Sequence, residues 1–522
     1  MRRYHARYSF FAKLVVMVPL IAAADALFHD DVGSWLGGLM LAWMLVLIII
    51  RPALRRGPAL VAGGVASVFA LIAVDASGLL GWAMFWVAIS IAALLPRAVG
   101  FDDAWRWAVR VAAHGVTGPF TPLIDLLRLF RPRPHRGRMK ARSVAAILAL
   151  PLAMGAIFVA LFASANPLIA RLFAAIRLPS IGEVGFWLAM LALFWPAFRP
   201  NRWSTRIVTA LPDAEVTLPG ASMPSVLIAL GLFNAIFAIE NGLDIAFLWS
   251  GAPLPTGTTM ADYAHQGAYP LIVTAILAGV FVLATLKPGS ATAADPTIRR
   301  LVTLWVGQNI LLVASSILRT CDYVQAFSLT QLRIAALIWM GLVALGLALI
   351  LWRMLTGKSA RWLINANALA ATIVLAVSTV VDWGTVAALW NVRHAREVAN
   401  TGPALDLCYL DRLGPSALPA LLELEQRPLP QSLKSRVVRV RQDVMTGSWS
   451  YEDGGLVGQQ ANWRSWTWRG ARRLDRAEAL LGPHAMQPAR KPANLATWSC
   501  DGSITLAAPP PPPTPLTKAA KP

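Results

Sequence analysis

Long apolar runs of about twenty residues, separated by short polar or basic connections, dominate residues 1–384 of this chain. Runs of that length suit helices crossing a hydrocarbon layer about 30 Å thick. Eleven spans are predicted, at 10–28, 33–50, 58–75, 78–96, 143–165, 182–198, 223–249, 268–286, 300–319, 331–352 and 362–384. Stretches such as Leu41–Ile50 and Ile334–Leu351 are apolar on every face, whereas a barrel strand would alternate apolar and polar positions. The expected fold class is therefore all-α, a polytopic transmembrane helical bundle of about eleven spans. The first span contains Lys13 and Asp25, and the sixth is short. Arg2, Arg3 and Arg7 before an apolar run and Ala22-Ala23-Ala24 resemble a secretory signal. The run continues past the alanines to Phe28 and another span follows at once, so an uncleaved anchor is expected.

The pattern divides the chain further. Four spans fill 1–96, a basic connection occupies 97–142, and seven spans fill 143–384. In Phe101–His114 the residues Phe101, Trp105, Ala108 and Ala112 recur at helical spacing, with Asp103, Arg106 and Arg110 opposite. Phe120, Leu123, Ile124, Leu127 and Phe130 repeat the pattern against Asp125 and Arg128. Such helices are expected to lie in the membrane interface. Beyond the last span, residues 385–506 read as a small outer carboxy-terminal domain and 507–522 as a proline-rich disordered tail. Within that domain, Pro403–Arg427 is expected to form one or two short helices. Arg436–Arg441 alternates valine with arginine and is expected to be a short strand. Trp463–Ala485 is expected to be a basic helix.

Charge adds orientation. The formal net charge is +20, yet only 14% of residues are charged, against about 25% in soluble domains; a water-soluble enzyme is excluded. In the span region, 26 basic residues fall in alternate connections and four (Arg171, Arg177, Arg319 and Arg333) in the others. Basic loops stay inside, so a cytoplasmic amino terminus and an extracytoplasmic carboxy terminus are expected, in a bacterial cytoplasmic (inner) membrane. The run Arg131, Arg133, Arg136, Arg138, Lys140 and Arg142 adjoins a span. It is expected to contact anionic headgroups at the cytoplasmic face, and no nucleic-acid partner is expected. The sequence names no protein partner.

Signatures of catalysis are missing: there is no phosphate loop, nucleophile elbow or zinc helix. The seven histidines are scattered, so no metal, cofactor or enzymatic activity is expected. Of the three cysteines, Cys321 falls in a connection, while Cys408 and Cys500 fall in the carboxy-terminal part. An extracytoplasmic location would permit a disulfide between those two; the alternative is two unpaired thiols in a cytosolic tail. Polar residues within the spans are the remaining chemistry. Asn234, Glu240, Asn241 and Asp244 are spaced to share one helical face, and Gln308, Ser315 and Arg319 form a stripe on another span, with Asn309 and Ser316 beside it. Arg319 is the expected counter-ion of Asp244, with Asp322 and Arg333 as competitors. The cluster is either a solute or proton site of a transporter, or interhelical glue. Among small-residue packing motifs, only Gly33 with Gly37 stands out.

Several segments carry a family resemblance. They are Asn166-Pro-Leu-Ile-Ala170, Glu240-Asn-Gly-Leu-Asp244, Leu254-Pro-Thr-Gly257, Tyr263-Ala264, Gly267-Ala-Tyr-Pro-Leu271, Arg319 with Tyr323, Asn391-Val-Arg393, Leu405-Asp-Leu-Cys-Tyr-Leu410 and Trp463-Arg-Ser-Trp466. In this order they resemble, over roughly residues 145–480, an uncharacterised family of bacterial polytopic membrane proteins. It is domain of unknown function four-one-seven-three, related to four-one-five-three. The resemblance implies a bacterial inner-membrane protein and brings no substrate or catalytic residue. The leading functional reading is binding or transport of a small solute or ion through the polar cluster; the alternative is an envelope scaffold or sensor that anchors the carboxy-terminal domain.

Overall fold

The computed structural model describes residues 2–25, 32–98, 101–130, 179–200, 222–250, 291–449 and 454–507, with a few helical positions within 151–158 and 277–281. Nearly all of this is helix, and the protein is an all-α membrane protein. Seven described helices are long and apolar enough to cross a membrane. They coincide with the predicted spans at 58–75, 78–96, 182–198, 223–249, 300–319, 331–352 and 362–384. The span at 33–50 is a shorter apolar helix. The span at 10–28 lies on a 24-residue helix that carries Lys13. The spans at 143–165 and 268–286, the basic run at 131–142 and the proline-rich tail all lie outside the described residues, apart from isolated positions.

A first bundle joins α1 (Arg2–Asp25), α2 (Trp35–Ile50), α3 (Gly57–Asp75), α4 (Leu79–Leu94) and, past two shorter helices, α7 (Ile181–Phe198). Trp43 is its hub, meeting the rings of Phe85 and Phe194 at centroid distances of 5.6 and 4.7 Å. Gly37 lets α2 approach α3: a Cβ there would stand 2.6 Å from the Ala70 carbonyl oxygen. The shorter helices, α5 (Ala104–Thr117) and α6 (Thr121–Phe130), turn Trp107, Val111, His114 and Asp125 inward. Phe101, Trp105, Val116, Phe120, Leu123 and Leu127 remain exposed along their outer side.

A second bundle joins α8 (Met223–Asp244, continued by a wider turn to Trp249), α9 (Pro296–Phe327) and α10 (Gln331–Thr356). Trp305 of α9 packs among Phe233, Phe237 and Phe281. Local chemistry sets several helix starts: Asp295, Thr330 and Ser359 each accept a backbone N–H from the first turn that follows. Helix α11 (Ala360–Val380) packs on α10 and also reaches α3, α4 and α5 of the first bundle. Its Asn365 accepts the Ala104 N–H at 2.8 Å. The last span thus ends at Val380, four residues before the predicted 384, because Asp382 caps a new helix.

That helix, α12 (Trp383–His394), opens a carboxy-terminal unit with α13 (Leu407–Arg412), α14 (Leu418–Glu425), α15 (Gln431–Thr446), α16 (Gly455–Ala461), α17 (Trp468–Leu481), β1 (Leu495–Trp498) and β2 (Ile504–Leu506). Val392, Leu410, Leu418, Leu421, Val437, Val440 and Val444 form its core. The strand expected at Arg436–Arg441 is helix instead: Val437, Val440 and Val444 recur at helical spacing and all are buried. The two strands that do form are antiparallel and were not anticipated. Between α9 and α10 the chain turns at Ser328, whose φ of 68° is rare for a residue with a Cβ. Asn391 of α12 clasps that turn, accepting the Leu329 N–H at 2.6 Å and donating to the Leu329 carbonyl at 2.9 Å.

Candidate functional site

The polar residues of α8 and α9 meet in one seam. Asn234 donates its amide nitrogen to Leu230 O at 2.8 Å and, across the helices, to Leu301 O at 3.0 Å. Seven residues on, Asn241 repeats the arrangement with Phe237 O at 2.8 Å and Gln308 O at 3.2 Å. Two turns of helix therefore carry the same clasp twice, because seven residues return a side chain to nearly the same face. Further along, Asp244 pairs with Arg319, and Trp249 donates its indole N–H to Ser315 at 3.0 Å. Arg333 does not compete for Asp244. It donates to the carbonyls of Phe327 and Ser328 and lies over the Tyr323 ring.

Glu240 departs from the expected shared face. Asn234, Asn241 and Asp244 are buried, whereas Glu240 is exposed. At about 100° per residue, the three inward positions span an arc of some 80°, and Glu240 falls about 40° beyond Asp244. Gln308 enters chiefly through its backbone carbonyl. The side-chain carbonyl oxygens of Asn234, Asn241 and Gln308 are buried and accept no hydrogen bond from the described residues. Asn309 is turned onto its own helix and donates to Trp305 O at 2.8 Å. Among the described residues no group of acidic, histidine or cysteine side chains is arranged to hold a metal.

A second constellation joins the carboxy-terminal unit to the bundle and had no local signal in the sequence. Arg469 of α17 meets Asp75 at 2.8 Å, at the end of α3, and donates to Val380 O at 2.9 Å. Arg472 also pairs with Asp75, and Arg473 pairs with Asp382. Burial alone would raise the Asp382 carboxyl, but Arg473 and the Thr385 donors outweigh it and hold its pKa below the ordinary value. Next to these charges, the Gly33 and Ser34 N–H groups donate to Arg464 O and Trp466 O at 3.0 and 2.7 Å. Trp35 packs edge-on against Trp463. Gly33 thus serves this contact, while Gly37 alone serves helix packing. Cys408 and Cys500, 92 residues apart, are joined by a disulfide, and Cys321 is free.

The headgroup-contact candidates Arg131, Arg133, Arg136, Arg138, Lys140 and Arg142 lie outside the described residues. The described part of that segment keeps its acidic and basic groups together: Arg110 holds Asp102 through two hydrogen bonds. Burial works to raise the Asp102 carboxyl, and the Arg110 bonds override it to bring it down.

The model of one family, Domain of unknown function (DUF4153), matches residues 59–424, and the chain belongs to that family. It is the related member of the two families named by the motifs. The match starts well before the resemblance did, at α3, and stops before the Trp463 motif. No curated protein and no solved structure matches the chain.

Proposed function

We propose that this member of the family is a multi-pass protein of the bacterial cytoplasmic membrane that anchors and holds an outer carboxy-terminal domain, residues 385–506, as an envelope scaffold or sensor. The reading includes about eleven spans, a cytoplasmic amino terminus, an extracytoplasmic carboxy terminus and a disordered tail at 507–522. The observation that carries it is the seating of α17 on the helix ends, through Arg469 and Arg472 on Asp75 and Arg473 on Asp382. Asp75, Asp382, Gly33 and the turn at Leu329 lie at one end of the bundle, whereas Arg51, Arg97 and Arg199 lie at the basic ends of their helices. That separation agrees with basic loops remaining inside.

Both amide clasps of the seam spend their donors on backbone carbonyls of the facing helix, which favours glue over passage. A solute or ion site keeps one specific support, the buried side-chain oxygens of Asn234, Asn241 and Gln308. The exposed apolar side of α5 and α6 suits the cytoplasmic interface, with the basic run that follows on anionic headgroups.

Complementation of a deletion strain separates the two functions. At matched expression, the paired D244N/R319Q variant should restore the phenotype while a chain lacking residues 400–522 should not; the reverse result would establish the seam as the working site. Reporter fusions after residues 290 and 400 should report opposite compartments, and matching compartments would refute the proposed orientation.

A further inference from the structure

The basic end of the first bundle gathers more positive charge than its described carboxylates balance, and neither the seam nor the carboxy-terminal unit uses it. Lys13, from the body of α1, is buried, with Nζ 5.9 Å from the centre of the Trp195 ring. Arg51 stands one residue beyond α2 and donates to Ala197 O at 2.7 Å. Arg199 stands one residue beyond α7. His114, 3% exposed, lies one turn before Gly118, where a Cβ would stand 2.7 Å from Pro196, between Trp195 and Ala197, and its Nδ1 has no hydrogen-bond partner among the described residues.

These groups act on one another. Burial, then Arg97, brings Arg51 down to about 10. Burial, then Arg51 and Arg97, brings His114 down to about 4, so its ring is neutral at pH 7. Lys13 lies in the field of Arg199, Asp125, Arg51 and Arg97. The carboxylate at hand, Asp125, is already committed: it accepts from Trp195 Nε1 at 3.1 Å and pairs with both Arg199 and Arg128.

Helix ends explain part of this. Each carboxy-terminal end carries about half a negative charge, which suits Arg51 and Arg199. Lys13 is not at a helix end, and a buried ammonium without a counter-charge is costly. Over the described residues, Lys13, Arg51, Arg128 and Arg199 set four positive charges against Asp125.

We propose that Lys13, Arg51 and His114 form a binding site for a phosphate-class anion, supplied either by the headgroup of an anionic lipid or by free phosphate. An ammonium, a guanidinium fork and an imidazole N–H arriving from three helices match the several oxygens of a tetrahedral anion. Phe101 and Trp105, exposed and apolar at the start of the α5 segment that carries His114, suit an interfacial helix beside lipid headgroups.

The test is native mass spectrometry of the full-length protein in neutral detergent, titrated with phosphatidylglycerol, phosphatidylcholine, inorganic phosphate and chloride. One phosphatidylglycerol should bind at least tenfold more tightly than phosphatidylcholine, or phosphate should bind in preference to chloride. Lys13→Gln and Arg51→Gln should each lower that affinity about tenfold, and Arg56→Gln, at the same end but exposed, should not. If millimolar phosphate displaces the lipid, the site takes free phosphate; if it does not, the lipid is the ligand. The proposal is overturned if wild type prefers neither probe over its control. It is equally overturned if Arg51→Gln, folded as judged by circular dichroism, binds like wild type; this second variant covers a misfolded Lys13→Gln. The outcome does not depend on the scaffold reading.

Discussion

Neutralising Asp244 alone should destabilise the protein far more than neutralising Asp244 and Arg319 together. The two side chains are 2% and 9% exposed, so water screens neither charge. Removing one partner of a buried pair leaves the other uncompensated, at a cost of about 3–5 kcal/mol. Asp244→Asn and Arg319→Gln should therefore each lose about a hundredfold or more in the folded-to-unfolded ratio. The double variant buries two neutral amides in place of two charges and should lie within about 1 kcal/mol of wild type, a coupling of several kcal/mol. The Asn241 clasp makes a useful scale: interhelical hydrogen bonds in membranes average about 0.6 kcal/mol, so Asn241→Leu should cost about 1 kcal/mol. The charge pair, not the amides, should dominate the seam. Unfolding of all four proteins of the cycle by dodecyl sulfate in mixed micelles, followed by circular dichroism, measures each difference. Single variants within 1 kcal/mol of wild type, or purely additive effects, would refute the reasoning.

Three further outcomes follow from the carboxy-terminal unit. Before reduction only Cys321 should react with a thiol reagent, and reduction should lower thermal stability, since closing a loop of 92 residues contributes about 4–5 kcal/mol on the entropic model. Burial, then Asp443, raises the Asp411 carboxyl to about 6; the native state holds its proton where the unfolded chain has lost it, so stability should fall as pH rises from about 4 to about 6. Asp411→Asn should flatten that slope in a pH series of thermal melts, and an unchanged slope would rule Asp411 out. Gly33→Ala would place a Cβ 2.4 Å from the Arg464 carbonyl oxygen. Loss of the two backbone bonds beside it should cost about 1–3 kcal/mol and speed tryptic cleavage in the 464–473 segment, with no change if the contact is incidental.

The spans were legible because a bilayer demands long apolar runs whatever their neighbours are, and the interfacial helices because their apolar spacing is local. The Asp244–Arg319 pair could be anticipated, since both residues are costly exceptions within apolar runs at compatible depths. Glu240 is compatible by its spacing of four with Asp244, yet its adjacency to Asn241 turns it away from the buried face. Arg436–Arg441 is a similar case: six residues mixing valine with arginine suit a strand, and only Val444, further on, makes the helical period plain. The seating of α17 could not be read. Arg469 and Asp75 are 394 residues apart, and half of the contact beside them is backbone, which no side-chain pattern announces.

Helix α9 has 32 residues, about 48 Å at 1.5 Å per residue, against a hydrocarbon layer of about 30 Å. Its far end is held by Asn391 through both the amide and the carbonyl of Leu329, in a turn with no slack. A helix held this way at one end and capped by Asp295 at the other has both of its ends fixed by side chains, and the grip ties α12 to the turn that follows α9. In mechanical terms Asn391 is a rivet: the placement of α12 and that of the α9–α10 turn are one variable, not two.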